Sequence, residues 1–98
     1  MPSLRRHQLE LTNPLGLHLR AASRFVEVAK TFKAEVLVFY RERAANGKSI
    51  LDLMFLAIEC GARVDLEVIG PDASEALESL SEVIEARSDE RPQVEEPR

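Results

Sequence analysis

The sequence predicts a two-layer α+β domain in which helices cover one face of a β-sheet. Three observations favour this class. Strand-like and helix-like segments follow one another in the order βαββαβα. The strand-like segments alternate apolar and polar residues, which indicates a sheet that is buried on one face only. The chain has 98 residues, of which 45% are hydrophobic, and that size fits a single domain.

Four segments have the alternation or the β-branched composition of strands. Near the N-terminus, Leu9 and Leu11 share one face, and the segment RVDLEVI alternates in the same way. The predicted strands span residues 6–12, 36–40 and 63–69, with a short strand that starts at Arg43 and turns at Asn46-Gly47.

Three segments have the three- and four-residue apolar spacing of amphipathic helices. The first begins near Leu19. The second, ILDLMFLAIE, follows Ser49, whose hydroxyl can cap its first turn, and we expect it to end at Gly61. The third follows Asp72, which forms a capping box with Glu75.

Charged residues are distributed unevenly along the chain. Residues 1–71 carry ten Lys/Arg and eight Asp/Glu, whereas residues 72–98 carry three and nine. This balance disfavours a general nucleic-acid-binding protein, which would need a larger basic excess. The last segment, SDERPQVEEPR, has two prolines and one apolar residue, a composition typical of disorder. We therefore assign residues 1–87 to the domain and residues 88–98 to a disordered acidic tail.

Several site classes are disfavoured by the sequence. The single cysteine, Cys60, has no second thiol for a disulfide or a metal motif, and we expect it to pack as a small hydrophobe. His7 is expected on the polar side of a strand, at the surface. No apolar run approaches the roughly 18 residues of a membrane span, and the N-terminus lacks a signal-peptide core. We expect a cytoplasmic protein with no metal and no cofactor.

His18 stands where the first helix begins, in the segment GLHLRAA. The first-turn N–H groups and the helix dipole make this position suitable for an anion. Leu19 and Arg20 would supply the nearest amides, and the Arg20 guanidinium can bind two phosphate oxygens. Because neutral histidine is a nucleophile near pH 7, the arrangement indicates a phosphohistidine site. The alternative is a histidine that only caps the helix or lies at the surface.

Three stretches of the sequence together resemble the histidine-containing phosphocarrier (HPr) family of the bacterial phosphoenolpyruvate-dependent phosphotransferase system. They are NPLGLHLRAASRFV, NGKSILDLMFLAIECGARV and GPDASEALESL, and they occur in the family's order and spacing. The resemblance covers the chain from about residue 4 to residue 87.

The resemblance implies an open-faced β-sandwich with three helices on one face of a four-stranded antiparallel sheet. It also implies that His18 accepts a phosphoryl group on Nδ1 from enzyme I and passes it to an enzyme IIA-type protein, with Arg20 steadying the phosphate. Ser49 matches the serine that an HPr kinase/phosphorylase modifies in Gram-positive members. We expect a monomer that binds neither nucleic acid nor membrane.

The sequence departs from the family's frequent Gly-Leu-His-Ala-Arg-Pro-Ala at two positions, Leu19 and Ala21. Ala21 keeps the helix, since proline at this place only removes an N–H that has no helical partner. The Arg-Ala-Ala pattern followed by Phe25-Val26 is similar to the nitrogen-related branch of the family. Leu19 is unusual in either branch, so the sequence leaves sugar uptake and nitrogen-related regulation both open.

The second helix carries two apolar stripes. One consists of Leu53, Leu56 and Cys60, and the other of Ile50, Leu51, Met54 and Ile58. A helix on one sheet face buries only part of its circumference, so we expect Ile50, Leu51 and Met54 to form a docking surface for partner proteins. The alternative is that both stripes are buried. A phosphate on Ser49 would add about −1.5 to −2 charges beside this surface.

Two other classes of protein compete with a phosphocarrier. A regulatory binding module would act through Ser49 phosphorylation or unmodified docking, with no obligatory carrier role. A small independent enzyme would need a second acid or base near His18, and the sequence shows none. Because His18 and Arg20 are both present, we favour a phosphoryl-transfer intermediate over a stand-alone enzyme.

Overall fold

The computed structural model describes residues 3–12 and 16–85. In chain order its elements are β1 (Ser3–Glu10), α1 (Leu19–Ala29), β2 (Glu35–Tyr40), β3 (Arg43–Asn46), α2 (Ile50–Leu56), β4 (Arg63–Gly70) and α3 (Ala73–Glu85). The four strands form one antiparallel sheet in the order β1-β4-β2-β3. This architecture confirms the α+β class and the βαββαβα order.

The core lies between one face of the sheet and the helices. Alternate residues of β4 and β2 are buried, and α3 packs on β1 and β4 while α1 lies between α3 and α2. The largest fully buried side chains are, apart from one phenylalanine, aliphatic, and they are Phe25, Leu53, Leu66, Leu80, Val36, Val38 and Val68. A core of this kind fixes the positions of α1 and α2, which carry the candidate site.

Strand β1 begins earlier than the alternation predicts. It starts at Ser3, where it pairs with Gly70 of β4. His7 is exposed, as expected, but it lies opposite Leu66 and therefore on the same face as Leu9. The prediction that His7 is on the polar side is wrong, because residues two apart on a strand share a face.

The second helix ends earlier than the sequence predicts. It stops at Leu56, because Ala57 adopts the left-handed conformation (φ 53°) and its N–H bonds to the Met54 carbonyl. The chain then turns Ile58 into the core, where it is 5% exposed. Cys60 follows outside the helix and is exposed. The assignments of Gly61 as helix end, Cys60 as a packed hydrophobe and Ile58 as part of an exposed stripe are therefore wrong.

Asp72 precedes α3, but its carboxylate serves another part of the fold. Its two oxygens accept hydrogen bonds from the backbone N–H groups of Lys33 and Ala34, each at 2.9 Å. These bonds, the Lys33 bond foremost, lower the pKa of Asp72. The residue thus fastens the start of α3 to the segment before β2, a long-range role that the predicted capping box with Glu75 does not include. The predicted acidic tail, residues 88–98, lies outside the described residues.

Candidate functional site

His18 is the N-cap of α1. Its backbone is extended (φ −83°, ψ 179°), and its carbonyl accepts the first helical hydrogen bond, from the Ala22 N–H at 2.8 Å. Its side chain is half-buried, and Nδ1 accepts a hydrogen bond from the Arg20 N–H with an N···N distance of 3.2 Å. A nitrogen that accepts carries the lone pair, so in the neutral ring the proton is on Nε2. The nitrogen that carries the lone pair is therefore Nδ1, and it faces the Arg20 amide of the helix.

The surroundings of Nδ1 favour an anion. The first turn of α1 contains no acidic residue, and the helix dipole adds a partial positive charge there. Arg20 is exposed, and Leu19 is 60% exposed on the same turn. The structure thus brings His18 Nδ1 to the Arg20 amide, with Leu19 on the same turn of the helix.

The loop that leads to His18 rests on the segment between α2 and β4. The Leu17 N–H donates to the Ile58 carbonyl at 3.0 Å. Leu11, just after β1, accepts from the Gly61 N–H at 2.7 Å and donates to the Ala62 carbonyl at 2.9 Å. These contacts hold the segment that follows α2 beside the start of α1.

Ser49 is the N-cap of α2, as predicted. Its backbone is extended, and its Oγ accepts a hydrogen bond from the Asp52 N–H at 3.2 Å. The Asp52 carboxylate accepts in turn from the Asn46 N–H at 3.2 Å, and Asn46 Oδ1 accepts from the Lys48 N–H at 2.9 Å. The side chain of Ser49 is half-buried. Capping accounts for a serine here without any modification.

The exposed apolar residues of α2 differ in part from the predicted docking stripe. Ile50 and Leu51 are exposed by 37% and 64%, but Met54 is half-buried and packs against the core. Phe55 is 68% exposed, and the sequence reasoning missed it. The signal was available, since Phe55 lies one turn after Leu51 and so on the same side of the helix. We call Ile50, Leu51 and Phe55 the apolar α2 surface.

A strand holds the end of this helix in place. Arg43 of β3 donates from its guanidinium to the Phe55 carbonyl at 3.2 Å. A cation at this end also complements the helix dipole. Because Phe55 is anchored through its backbone, its ring is presented outward from a fixed position.

Within residues 3–12 and 16–85, no group of three or more His, Cys, Asp and Glu side chains has the arrangement to hold a metal ion. Across the same part of the chain, no helix is both long and apolar enough to cross a membrane.

Fold and site together define a small α+β protein whose histidine caps a helix and directs its accepting nitrogen at that helix's amides. Residues 5–86 match the family model described as the PTS HPr component phosphorylation site. The phosphocarrier protein HPr of Neisseria meningitidis serogroup A is 42% identical over 79 residues, which cover 81% of this chain and 89% of that relative. The chain belongs to the HPr family, the phosphocarrier proteins of the phosphotransferase system.

Two further comparisons agree. The phosphocarrier protein NPr of Shewanella violacea is 36% identical over 83 residues, or 85% of this chain and 91% of the relative. The crystal structure of HPr from Bacillus anthracis superimposes with a TM-score of 0.82 at 31% identity, covering 85% of this chain and 99% of that one. These matches confirm the family fold that the resemblance implied.

Proposed function

We propose that His18 accepts a phosphoryl group on Nδ1 from phosphorylated enzyme I and passes it to an enzyme IIA-type protein. The observation that carries this proposal is the hydrogen bond from the Arg20 N–H to Nδ1 at the mouth of α1. It keeps the lone pair on Nδ1 and puts that nitrogen at an anion-binding position. Family membership supports the carrier role.

The transfer follows from these contacts. The Nδ1 lone pair attacks the phosphorus of the donor's phosphohistidine, and the donor's P–N bond breaks with its electron pair returning to the donor nitrogen. The Nε2 proton stays, so positive charge develops on the His18 ring beside the arriving phosphoryl group. The Arg20 N–H loses its acceptor and can then donate to a phosphoryl oxygen, together with the Leu19 N–H. The Arg20 guanidinium adds a charge-assisted bond.

Incubation with phosphoenolpyruvate and enzyme I tests the proposal. The wild-type chain should gain one acid-labile, base-stable phosphate, detected by mass. His18→Asn is the sharpest control, because asparagine is a good N-cap but cannot be phosphorylated this way. It should fold normally and remain unlabelled. Undiminished labelling of His18→Asn would refute the assignment.

Arg20 is proposed to stabilise the phosphoryl group in transfer. Arg20→Ala should slow transfer and leave the melting temperature nearly unchanged, since the side chain is exposed. Arg20→Lys should recover only part of the rate, because an ammonium lacks the planar two-nitrogen geometry of a guanidinium. Equal rates for all three proteins would show that Arg20 takes no part.

The apolar α2 surface, next to Ser49, is proposed as the docking surface for enzyme I. Leu51→Glu should weaken binding while changing the free energy of unfolding by about 0.5 kcal/mol or less, because Leu51 is mostly exposed. Met54→Glu is the contrasting variant, since Met54 packs against the core and its replacement should also lower stability. Calorimetric titration with enzyme I beside a melting curve separates the two effects. Wild-type affinity in folded Leu51→Glu would contradict the docking role.

Ser49 is proposed as a regulatory position that an HPr kinase/phosphorylase could modify. Ser49→Asp keeps a good N-cap, so stability should change by at most about 1 kcal/mol, while affinity for enzyme I should fall. If the wild-type chain were not phosphorylated on His18, but Ser49→Asp still lowered the affinity for enzyme I, a regulatory binding module would be the better assignment.

The finer aspects of the role stay predictions. We propose a monomer and a cytoplasmic place of action, both of which the family resemblance implies. Transfer assays with enzyme IIA-type proteins of the sugar and the nitrogen-related branch would decide the acceptor. Relatives named HPr and NPr both match the chain, so neither branch is favoured.

A further inference from the structure

Gly16 lies two residues before His18 and packs against the segment that joins α2 to β4. It is buried, and its φ of +73° is in the left-handed region that favours glycine. A Cβ at this position would lie 2.8 Å from the Ile58 carbonyl oxygen and 3.3 Å from the Glu59 Cα. Only glycine therefore fits both the backbone conformation and the space.

The Ile58 carbonyl oxygen, which an added Cβ at Gly16 would meet, also accepts a hydrogen bond from the next residue. The Ile58 carbonyl accepts the hydrogen bond from the Leu17 N–H at 3.0 Å. Ile58 itself is fixed, because its side chain is buried in the core. Its carbonyl reaches this place because Ala57 ends α2 in the left-handed conformation. The backbone one residue before His18 is thus hydrogen-bonded to a residue whose side chain is buried in the core.

From these contacts we infer that Gly16 and the Ile58 carbonyl are positioning elements for the phosphoryl transfer. Close packing at Gly16 and the bond at Leu17 set the direction in which the chain enters α1, and so the place of His18 Nδ1 relative to the Arg20 N–H. This inference rests on the proposed function of His18. It also places the segment that follows α2 in direct contact with the backbone that carries His18.

The test uses two glycines that share a conformation but differ in surroundings. Gly16→Ala adds left-handed strain and the close approach to the Ile58 carbonyl oxygen. Gly61→Ala is the matched control, because Gly61 has a φ of +88° but nothing within 4 Å of an added Cβ. Gly16→Asn keeps the close approach with a residue that tolerates left-handed φ better. It serves as the test if Gly16→Ala melts too low.

Single-turnover transfer from phosphorylated enzyme I is measured over a range of enzyme I concentrations, at a temperature where each variant is folded. For Gly16→Ala and Gly16→Asn we expect the maximal rate to fall about 10- to 100-fold, as small misplacements of a reacting group do. The half-saturating concentration should stay near the wild-type value, since the apolar α2 surface is unchanged. Gly61→Ala should melt lower but transfer at the wild-type rate.

The ring nitrogens of His18 give a second measurement that does not depend on transfer. Their ¹⁵N chemical shifts in the unphosphorylated protein should move in the Gly16 variants and stay in place in Gly61→Ala. Wild-type rate and shifts in folded Gly16→Asn would overturn the inference, as would an equal slowing by Gly61→Ala. If the wild-type chain itself were not phosphorylated, the proposed function would fail, while the chemical shifts would still decide the positioning role.

Discussion

His18 caps α1 and, in our proposal, also carries a phosphoryl group; the capping role alone predicts that its replacement lowers stability. Replacement of His18 by alanine removes the Nδ1 acceptor and leaves the Arg20 N–H without its intramolecular side-chain partner. Replacement by asparagine keeps a side-chain oxygen that can accept from the first turn. The two variants should therefore be equally inactive but differ in stability.

The size of the difference follows from the cap geometry. An N-cap acceptor contributes about 0.5–2 kcal/mol, typically about 1 kcal/mol. The N···N distance of 3.2 Å is long for such a bond, and His18 is half-buried, so we expect the lower half of that range. In a domain of this size 1 kcal/mol corresponds to roughly 4–8 °C in melting temperature. His18→Ala should melt several degrees below wild type, and His18→Asn within about two degrees of it.

Differential scanning calorimetry of the three proteins at the same pH measures this directly. Chemical denaturation checks that the slope against denaturant concentration is unchanged, so that the shift is one of stability. Equal melting temperatures for His18→Ala and wild type would refute the reasoning. The Nδ1 bond would then contribute nothing, and the resting orientation of the nucleophile would need another cause.

Two further predictions concern the residues that hold the elements together. The free energy of unfolding should fall as the pH drops below about 4, the ordinary pKa of an aspartate. The Lys33 and Ala34 N–H groups lower the pKa of Asp72 in the folded state. The stabilisation by the ionised carboxylate is therefore lost as the pH falls through that lowered pKa. Asp72→Asn should flatten the acid limb of a stability–pH curve, and an unchanged curve would contradict this. Gly47→Ala should cost about 1–3 kcal/mol or more by overpacking, since its Cβ would crowd Val36 and lie 3.1 Å from Phe25 Cε1. A melting curve equal to that of wild type would contradict this prediction and would show that Val36 and Phe25 can move to accommodate the added methyl group.

The sequence predicts those features that depend on near neighbours in the chain. Ser49 caps α2 through the N–H of Asp52, three residues away, and this pattern is readable without any structure. His18 is found for the same reason. The sequence also separates the polar and apolar positions of β4, because alternation is a local property.

The exposed Phe55 and the face of His7 could have been predicted from local spacing, but two other missed features depend on distant partners. Asp72 bonds to Lys33 and Ala34, 39 and 38 residues away, and no local pattern distinguishes that role from a capping box. The early end of α2 has the same origin. The helical spacing of apolar residues continues beyond Leu56. However, the Ile58 side chain is buried in the core, and the Ile58 carbonyl accepts a hydrogen bond from the Leu17 N–H. Tertiary contacts therefore override a local preference for helix.

The resting contact of Nδ1 also bears on how a carrier can both accept and release its phosphate. The Arg20 N–H donates to Nδ1 before transfer, and in our proposal it donates to a phosphoryl oxygen afterwards. The same donor is thus satisfied in both states, so this N–H contributes to the transfer equilibrium only the difference between its two hydrogen bonds. A donor that was unpaired at rest would favour the phosphorylated state by the whole bond and would retard release. The weak cap at His18 is therefore suited to a site whose phosphate must leave as readily as it arrives.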